Sequence, residues 1–180
     1  MAANVEIKAR ITNLVLLRQQ VERISDSAAE LIMQEDVFFL GSRGRLKLRI
    51  FSDDRGELIY YERSDQTGPK RSQYFISRTG EPRQLLIVLE SAFGIRGVVR
   101  KKRWLYMVDN TRIHLDEVDG LGSFLELEVV LSPGQRTEEG EATAAALMDR
   151  LGIDIADLIQ GAYIDLLESN ASQGSDSHGK

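Results

Sequence analysis

The sequence predicts an α+β fold with antiparallel strands, and three features carry that prediction. Several stretches alternate apolar and charged residues with the two-residue period of a strand, as in Arg45-Leu46-Lys47-Leu48-Arg49-Ile50. Short turns join many of these stretches, and strands joined by short turns pair antiparallel. Segments with helical spacing interrupt the strands in blocks instead of alternating with them one for one, which argues against a doubly wound parallel sheet. With 180 residues and 42% hydrophobic content the chain can fill one core, so residues 1–168 are expected to form a single domain.

The elements follow in order. Asn4 to Arg10 reads as a strand with Asn4, Glu6, Lys8 and Arg10 on one face and Val5, Ile7 and Ala9 on the other. Thr12 or Asn13 can cap a helix running to about Leu31, with Leu14, Leu17, Val21, Ile24 and Ala28 at helical spacing. Gln34 to Leu40 and Arg45 to Phe51 are strands around a Gly41–Gly44 turn; Asp53 to Gly56 turns the chain into the strand Glu57 to Arg63. Gly68-Pro69 breaks the chain before a shorter strand near Gln73 to Ser77. Pro82 opens a helix with a stripe of Leu85, Leu86, Leu89, Ala92 and Phe93, and Gly94 ends it. Three strands come next, Gly97 to Val108, Thr111 to Val118 and Phe124 to Ser132. Glu138 to Leu151 is a helix closed by Gly152, and a last helix spans Ile155 to about Glu168. Ser169 to Lys180 is rich in Ser, Gly and Asp and is expected to be a disordered tail.

Composition narrows the function classes. There is no cysteine, hence no disulfide framework and no thiolate metal site, as suits a reducing compartment. No leading apolar segment and no membrane-length apolar run occur, so a cytoplasmic protein without a membrane partner is expected. The formal net charge of −5 conceals a strong asymmetry: Arg43 to Arg103 holds 15 Lys and Arg against 7 Asp and Glu, whereas Leu105 to Lys180 holds 4 against 15. A basic middle points to an anionic partner, and the acidic remainder can offset it or bind metal. Gly41-Ser42-Arg43-Gly44 fits neither a Walker nor a dinucleotide loop, and no nucleophile motif is present. No aromatic interleaving suggests a single-strand binder, so nucleic acid is not the expected ligand. His114 and His178 are too few and too far apart for a zinc site.

The sharpest local signal is Phe124-Leu125-Glu126-Leu127-Glu128-Val129, where two glutamates share one strand face. Like charges this close repel unless water screens them or a cation sits between them. Asp116 falls opposite the apolar residues in Ile113-His114-Leu115-Asp116, and such oxygen ligands suit Mg2+ or Mn2+. Lys47 with Arg49, and Lys101 with Arg103, are cations spaced two apart that match phosphate oxygens. An ordinary half-exposed sheet, with its charged face in water, produces the same pattern. If the sheet instead curls and closes, the charged face becomes an interior that must hold water, metal and an anionic ligand.

These residues resemble the CYTH superfamily, which contains class IV adenylate cyclases, thiamine triphosphatases and other triphosphate tunnel metalloenzymes. Asn-Val-Glu-Ile-Lys at 4–8 is similar to that group's Glu-x-Glu-x-Lys signature. The likeness continues through Leu-Lys-Leu-Arg at 46–49, Tyr-Tyr-Glu-Arg at 60–63, Val-Arg-Lys-Lys-Arg at 99–103, Ile-His-Leu-Asp-Glu-Val at 113–118, Gly-Ser-Phe-Leu-Glu-Leu-Glu-Val at 122–129 and Ala-Tyr-Ile-Asp-Leu-Leu at 162–167. The resemblance implies a closed eight-stranded antiparallel β-barrel, a triphosphate tunnel, with helices packed outside. It implies that Lys8, Lys47, Arg49, Arg63, Lys101 and Arg103 grip a triphosphate, with Arg78 a further candidate. Glu6, Glu126 and Glu128 would hold Mg2+ or Mn2+, with Asp116 nearby. Asn4 stands where the signature has its first glutamate, which removes one negative charge while leaving an oxygen able to ligate.

The expected function is a metal-dependent enzyme acting on a small-molecule triphosphate such as ATP, thiamine triphosphate or tripolyphosphate, by hydrolysis or by adenylate cyclisation. The alternative is a non-catalytic nucleotide- or polyphosphate-binding module. A homodimer is compatible with the sequence, which carries no diagnostic interface.

Overall fold

The alternating stretches close on themselves. In the computed structural model, which describes residues 2–41, 43–63 and 69–175, the strands are β1 (Ala2–Ile11), β2 (Glu30–Phe39), β3 (Arg45–Ser52), β4 (Arg55–Arg63), β5 (Lys70–Thr79), β6 (Ile95–Val108), β7 (Thr111–Val118) and β8 (Gly122–Val130). Every pairing is antiparallel, in the ring order β1-β5-β4-β3-β2-β6-β7-β8. The seam between β1 and β5 is short, Ala2–Glu6 against Lys70–Tyr74, whereas β1 runs along β8 from Asn4 to Ile11. An eight-stranded ring leaves room for side chains or one small ligand inside.

Helices cover the apolar outer face. These are α1 (Leu14–Ile24), α2 (Pro82–Phe93), α3 (Thr137–Leu151) and α4 (Tyr163–Ser175). The outward residues Val5, Ile7, Leu125 and Leu127 pack with Leu17 and Val21 of α1 and with Ala144 and Leu147 of α3. Gly140 permits that approach: a Cβ there would lie 2.7 Å from Leu131 Cδ2 and 2.8 Å from Val5 Cγ2. Leu89 of α2 covers Val37, Leu48 and Ile50. A third apolar group lies inside one end of the barrel, where Phe38, Ile59, Tyr61, Val99 and Phe124 meet Tyr163 and Ile164 at the start of α4. Among the described residues no helix is long and apolar enough to cross a membrane.

Several boundaries differ from the sequence reading; the shorter strand expected near Gln73 to Ser77, for one, is the ten-residue β5, Lys70–Thr79. The helix expected to reach Leu31 ends at Ile24, capped at its start by Asn13, whose side chain accepts from Leu16 N at 3.0 Å. The chain then bonds to β6 (Asp26 N donates to Met107 O at 2.8 Å), and β2 begins at Glu30 opposite Leu105, so strand pairing overrides the helical spacing of Ala28. The last helix is not continuous: a single 3-10 turn spans Ile155–Asp157, then Leu158 bridges Ala9 and Ile159 N donates to Lys8 O at 3.0 Å before α4 starts. Finally, α4 continues to Ser175 through part of the expected disordered tail, with Ser169 and Ser172 donating back to the carbonyls of Asp165 and Glu168. The last five positions, His178 included, lie outside the described residues.

Candidate active site

Side-chain alternation turns one residue in two toward the barrel axis, and there these residues line a cavity of about 440 Å³. Its basic wall comes from β2, β3 and β6. Asp36 of β2 is 2% exposed and pairs in register with Arg49. Arg49 holds it with two parallel bonds, Nε at 2.7 Å and Nη2 at 2.9 Å, while Lys47 Nζ approaches to 2.8 Å. Burial by itself would raise the Asp36 carboxyl, but Arg49, Lys47 and Lys101 together hold it well below the usual range. Lys101 Nζ stands 3.8 Å from both Asp36 and Asp116, too far for a hydrogen bond to either. Its burial and the nearby Arg103 guanidinium depress it to about 7, and burial with Arg49 depresses Lys47 to about 8.

The acidic wall comes from β1, β7 and β8. Cross-strand register sets Lys8 and His114 on either side of Glu126, and Glu6 and Arg112 on either side of Glu128. Lys8 Nζ lies 2.9 Å from Glu126 Oε1 and 3.6 Å from the centroid of the Tyr163 ring. Burial opposes ionisation of Glu126, yet Lys8 and Arg103 keep its carboxyl well below the ordinary value. Arg112 Nη1 reaches Glu128 Oε2 at 3.3 Å. Between the walls, Arg103 makes a two-point contact with Asp116, at 2.7 and 2.6 Å, and also bonds Glu126.

The structure sorts the predicted residues. Glu6, Lys8, Lys47, Arg49, Lys101, Arg103, Glu126 and Glu128 all line the one cavity. Arg78 stands at its rim with a side chain 90% exposed, 3.8 Å from Glu57 Oε1. Arg63 occupies the last position of β4, and its side chain lies outside the described residues. Asp116, expected near a metal, does not itself line the cavity and is bonded by Arg103 and by the Tyr163 hydroxyl, which donates at 2.9 Å. The expectation that a closed charged interior requires a ligand also needs correction: most of these cations are neutralised by neighbouring carboxylates at 2.5–2.9 Å.

Sequence reasoning missed Asp36, Tyr163 and, above all, His114. The alternation placed His114 on the same face as Asp116, but only register shows that Glu126 is its neighbour. Buried His114 Nδ1 has no hydrogen-bond partner and lies 3.6 Å from Glu128 Oε1 and 3.8 Å from Glu126 Oε2. Ligand atoms from these three residues all fall within 4.8 Å of one another. An orphaned imidazole nitrogen between two carboxylates fits a divalent cation, and it adds nitrogen to what was read as an oxygen-only set.

Comparison with known proteins finds relatives over most of the chain. A Methanocaldococcus jannaschii protein, provisionally named an adenylate cyclase, is 24% identical over 169 residues, covering 90% of this chain and 97% of its own. A solved Pyrococcus horikoshii structure is 27% identical with a TM-score of 0.80, covering 91% of this chain and 98% of the other. A Hippeastrum protein, described as an adenylyl cyclase candidate with a dominant triphosphatase activity, shares the fold at 15% identity and a TM-score of 0.58, over 85% and 89% of the two chains. The CYTH domain model matches residues 2–163, the whole barrel with α1 to α3 and the connection to α4. With that match, and with cations and carboxylates turned inward, the chain belongs to the CYTH domain family.

Proposed function

We propose that the protein is a divalent-metal-dependent enzyme that binds a triphosphate in the barrel and hydrolyses it. The observation that carries this reading is the division of one cavity into a wall of Lys47, Arg49, Lys101 and Arg103 and a facing group of His114, Glu126 and Glu128. Polyphosphate oxygens match the first wall: Arg49 and Arg103 offer planar donor pairs, and Lys47, Lys101 and Lys8 act as point charges. Their carboxylate partners keep them oriented before ligand arrives, which lowers the reorganisation required on binding.

Glu126, Glu128 and His114 would hold the cation, with Glu6 beside Glu128 on the next strand. When bound, Mg2+ or Mn2+ supplies positive charge to phosphoryl oxygens and acidifies water. The imidazole donor moves the preference away from Mg2+ and toward transition-metal ions. In hydrolysis a water oxygen forms the new bond to the terminal phosphorus while the bridging P–O bond breaks, and the diphosphate leaves with the electron pair. Arg49 and Arg103 stabilise the charge that accumulates on the phosphoryl and leaving oxygens.

A second reading, cyclisation of ATP with loss of pyrophosphate, is favoured by the name given to the Methanocaldococcus jannaschii relative. The test is to incubate the protein with ATP, thiamine triphosphate and tripolyphosphate, each with Mg2+ or Mn2+, and identify the products. Release of orthophosphate supports hydrolysis, and cyclic nucleotide with pyrophosphate supports the second reading. Turnover of none of the three overturns both and leaves a binding module.

A further inference from the structure

Among the described residues three lysines line the cavity, and two of them sit against a carboxylate. Lys8 Nζ lies 2.9 Å from Glu126 Oε1, and Lys47 Nζ lies 2.8 Å from Asp36 Oδ2. Lys101 differs: its Nζ stands 3.8 Å from Asp36 on β2 and 3.8 Å from Asp116 on β7, although its side chain is 3% exposed. Both carboxylates are already engaged, Asp36 by Arg49 and Lys47, Asp116 by Arg103 and the Tyr163 hydroxyl. Little is left to hold a proton on Lys101. Burial and the Arg103 guanidinium depress it to about 7, so at neutral pH about half of the molecules present a free amine to the cavity. A desolvated lysine beside another cation is the setting in which a primary amine becomes a carbonyl nucleophile.

We propose that Lys101 forms an imine with an aldehyde that carries a phosphate group, which makes it a covalent attachment site inside the barrel. This goes beyond the triphosphate reading and shares with it only the anion-binding wall. The amine nitrogen adds to the carbonyl carbon, the carbonyl oxygen leaves as water, and a carbon–nitrogen double bond remains. When the imine takes up a proton, the iminium puts one positive charge where the ammonium stood, facing Asp36 and Asp116. Acylation would instead leave a neutral amide beside two buried carboxylates, so this pair favours an aldehyde over an acylating agent. The phosphate falls to Arg49 and Arg103, which line the same cavity, and to Lys47. Lys102, the next residue along β6, is exposed and has no such setting.

The experiment incubates the protein with pyridoxal 5′-phosphate at neutral pH, reduces any imine with borohydride and maps the labelled peptide by mass spectrometry. One adduct per chain is expected, at Lys101, formed at least about tenfold faster than at exposed Lys102, because far more of its amine is neutral. Pyridoxal without the phosphate should label Lys101 about tenfold more slowly, the effect of one lost charge-assisted contact. Saturating tripolyphosphate should slow the phosphate ester by at least as much. Lys101→Arg, which keeps a cation at the position, should lose the adduct. If that variant does not fold, the wild-type peptide map decides alone. No adduct, labelling spread evenly over Lys101 and Lys102, labelling of Lys8 or Lys47 in place of Lys101, or equal rates with and without the phosphate overturns the proposal. Phosphate-dependent labelling of Lys101 that tripolyphosphate does not slow leaves the imine site standing and counts against the triphosphate reading.

Discussion

The two walls of the cavity hold charge in opposite ways. On β2, β3 and β6 one carboxylate, Asp36, is surrounded by Arg49, Lys47 and Lys101, so positive charge is in excess and Lys101 is held only at 3.8 Å. On β7 and β8 two carboxylates flank an imidazole, with Lys8 of β1 and Arg112 at their outer edges. Excess charge that the protein does not itself neutralise is what a ligand can use. The first wall therefore suits an anion by its excess charge, while the second suits a cation by its converging donor atoms, although both arise from the same strand alternation.

The largest expected effect comes from the second wall. Glu128→Gln keeps shape and volume but removes a charged ligand, and should lower metal-dependent turnover at least about a hundredfold with an unchanged melting temperature. Titration of activity with Mn2+ checks this; full activity in a folded variant would mean that the glutamate is not a ligand. On the first wall, Arg49→Ala should reduce kcat/KM by about a hundredfold. It should also cost about 3 kcal/mol of stability, because Asp36 loses its two-point partner while still buried. Denaturant unfolding and steady-state kinetics separate the two consequences.

A smaller effect concerns pH. Lys101 titrates near 7 in the folded protein against 10.5 when exposed, so between these values the unfolded chain binds a proton that the folded chain does not. Stability from this group therefore rises with pH from about 7 toward 10.5, and the cost of its buried charge is complete below 7. Lys101→Met should stabilise the protein most below pH 7, with the gain fading in alkali. Tripolyphosphate affinity of the wild type should fall about tenfold as pH rises past 7, and Lys101→Met should remove that fall and leave the later one due to Lys47 above about 8. The smallest effect is at the end shared by both walls. Tyr163→Phe removes the hydroxyl donated to Asp116, which keeps both bonds from Arg103, so about 1–2 kcal/mol should be lost, read as a melting-point shift of a few degrees.

Much of this was legible in the chain because strand alternation is local. Lys47 and Arg49, or Glu126 and Glu128, must share a face wherever the strand lies, and Pro82 and Gly152 mark helix ends by their own backbone preferences. What the sequence alone could not decide is which neighbour each face meets. His114 beside Glu126 and Asp36 beneath Arg49 are the registers of two hairpins, β7 with β8 and β2 with β3, whereas the end of α1 at Ile24 and Tyr163 under Lys8 follow from contacts of β2 with β6 and of Ile159 with Lys8. The segments that meet in these last two contacts are far apart in sequence, and register between distant segments is set by closure of the whole ring and not by any short stretch. Local chemistry thus determined which side chains belong together, and only the closed barrel determined that they face one another across a cavity.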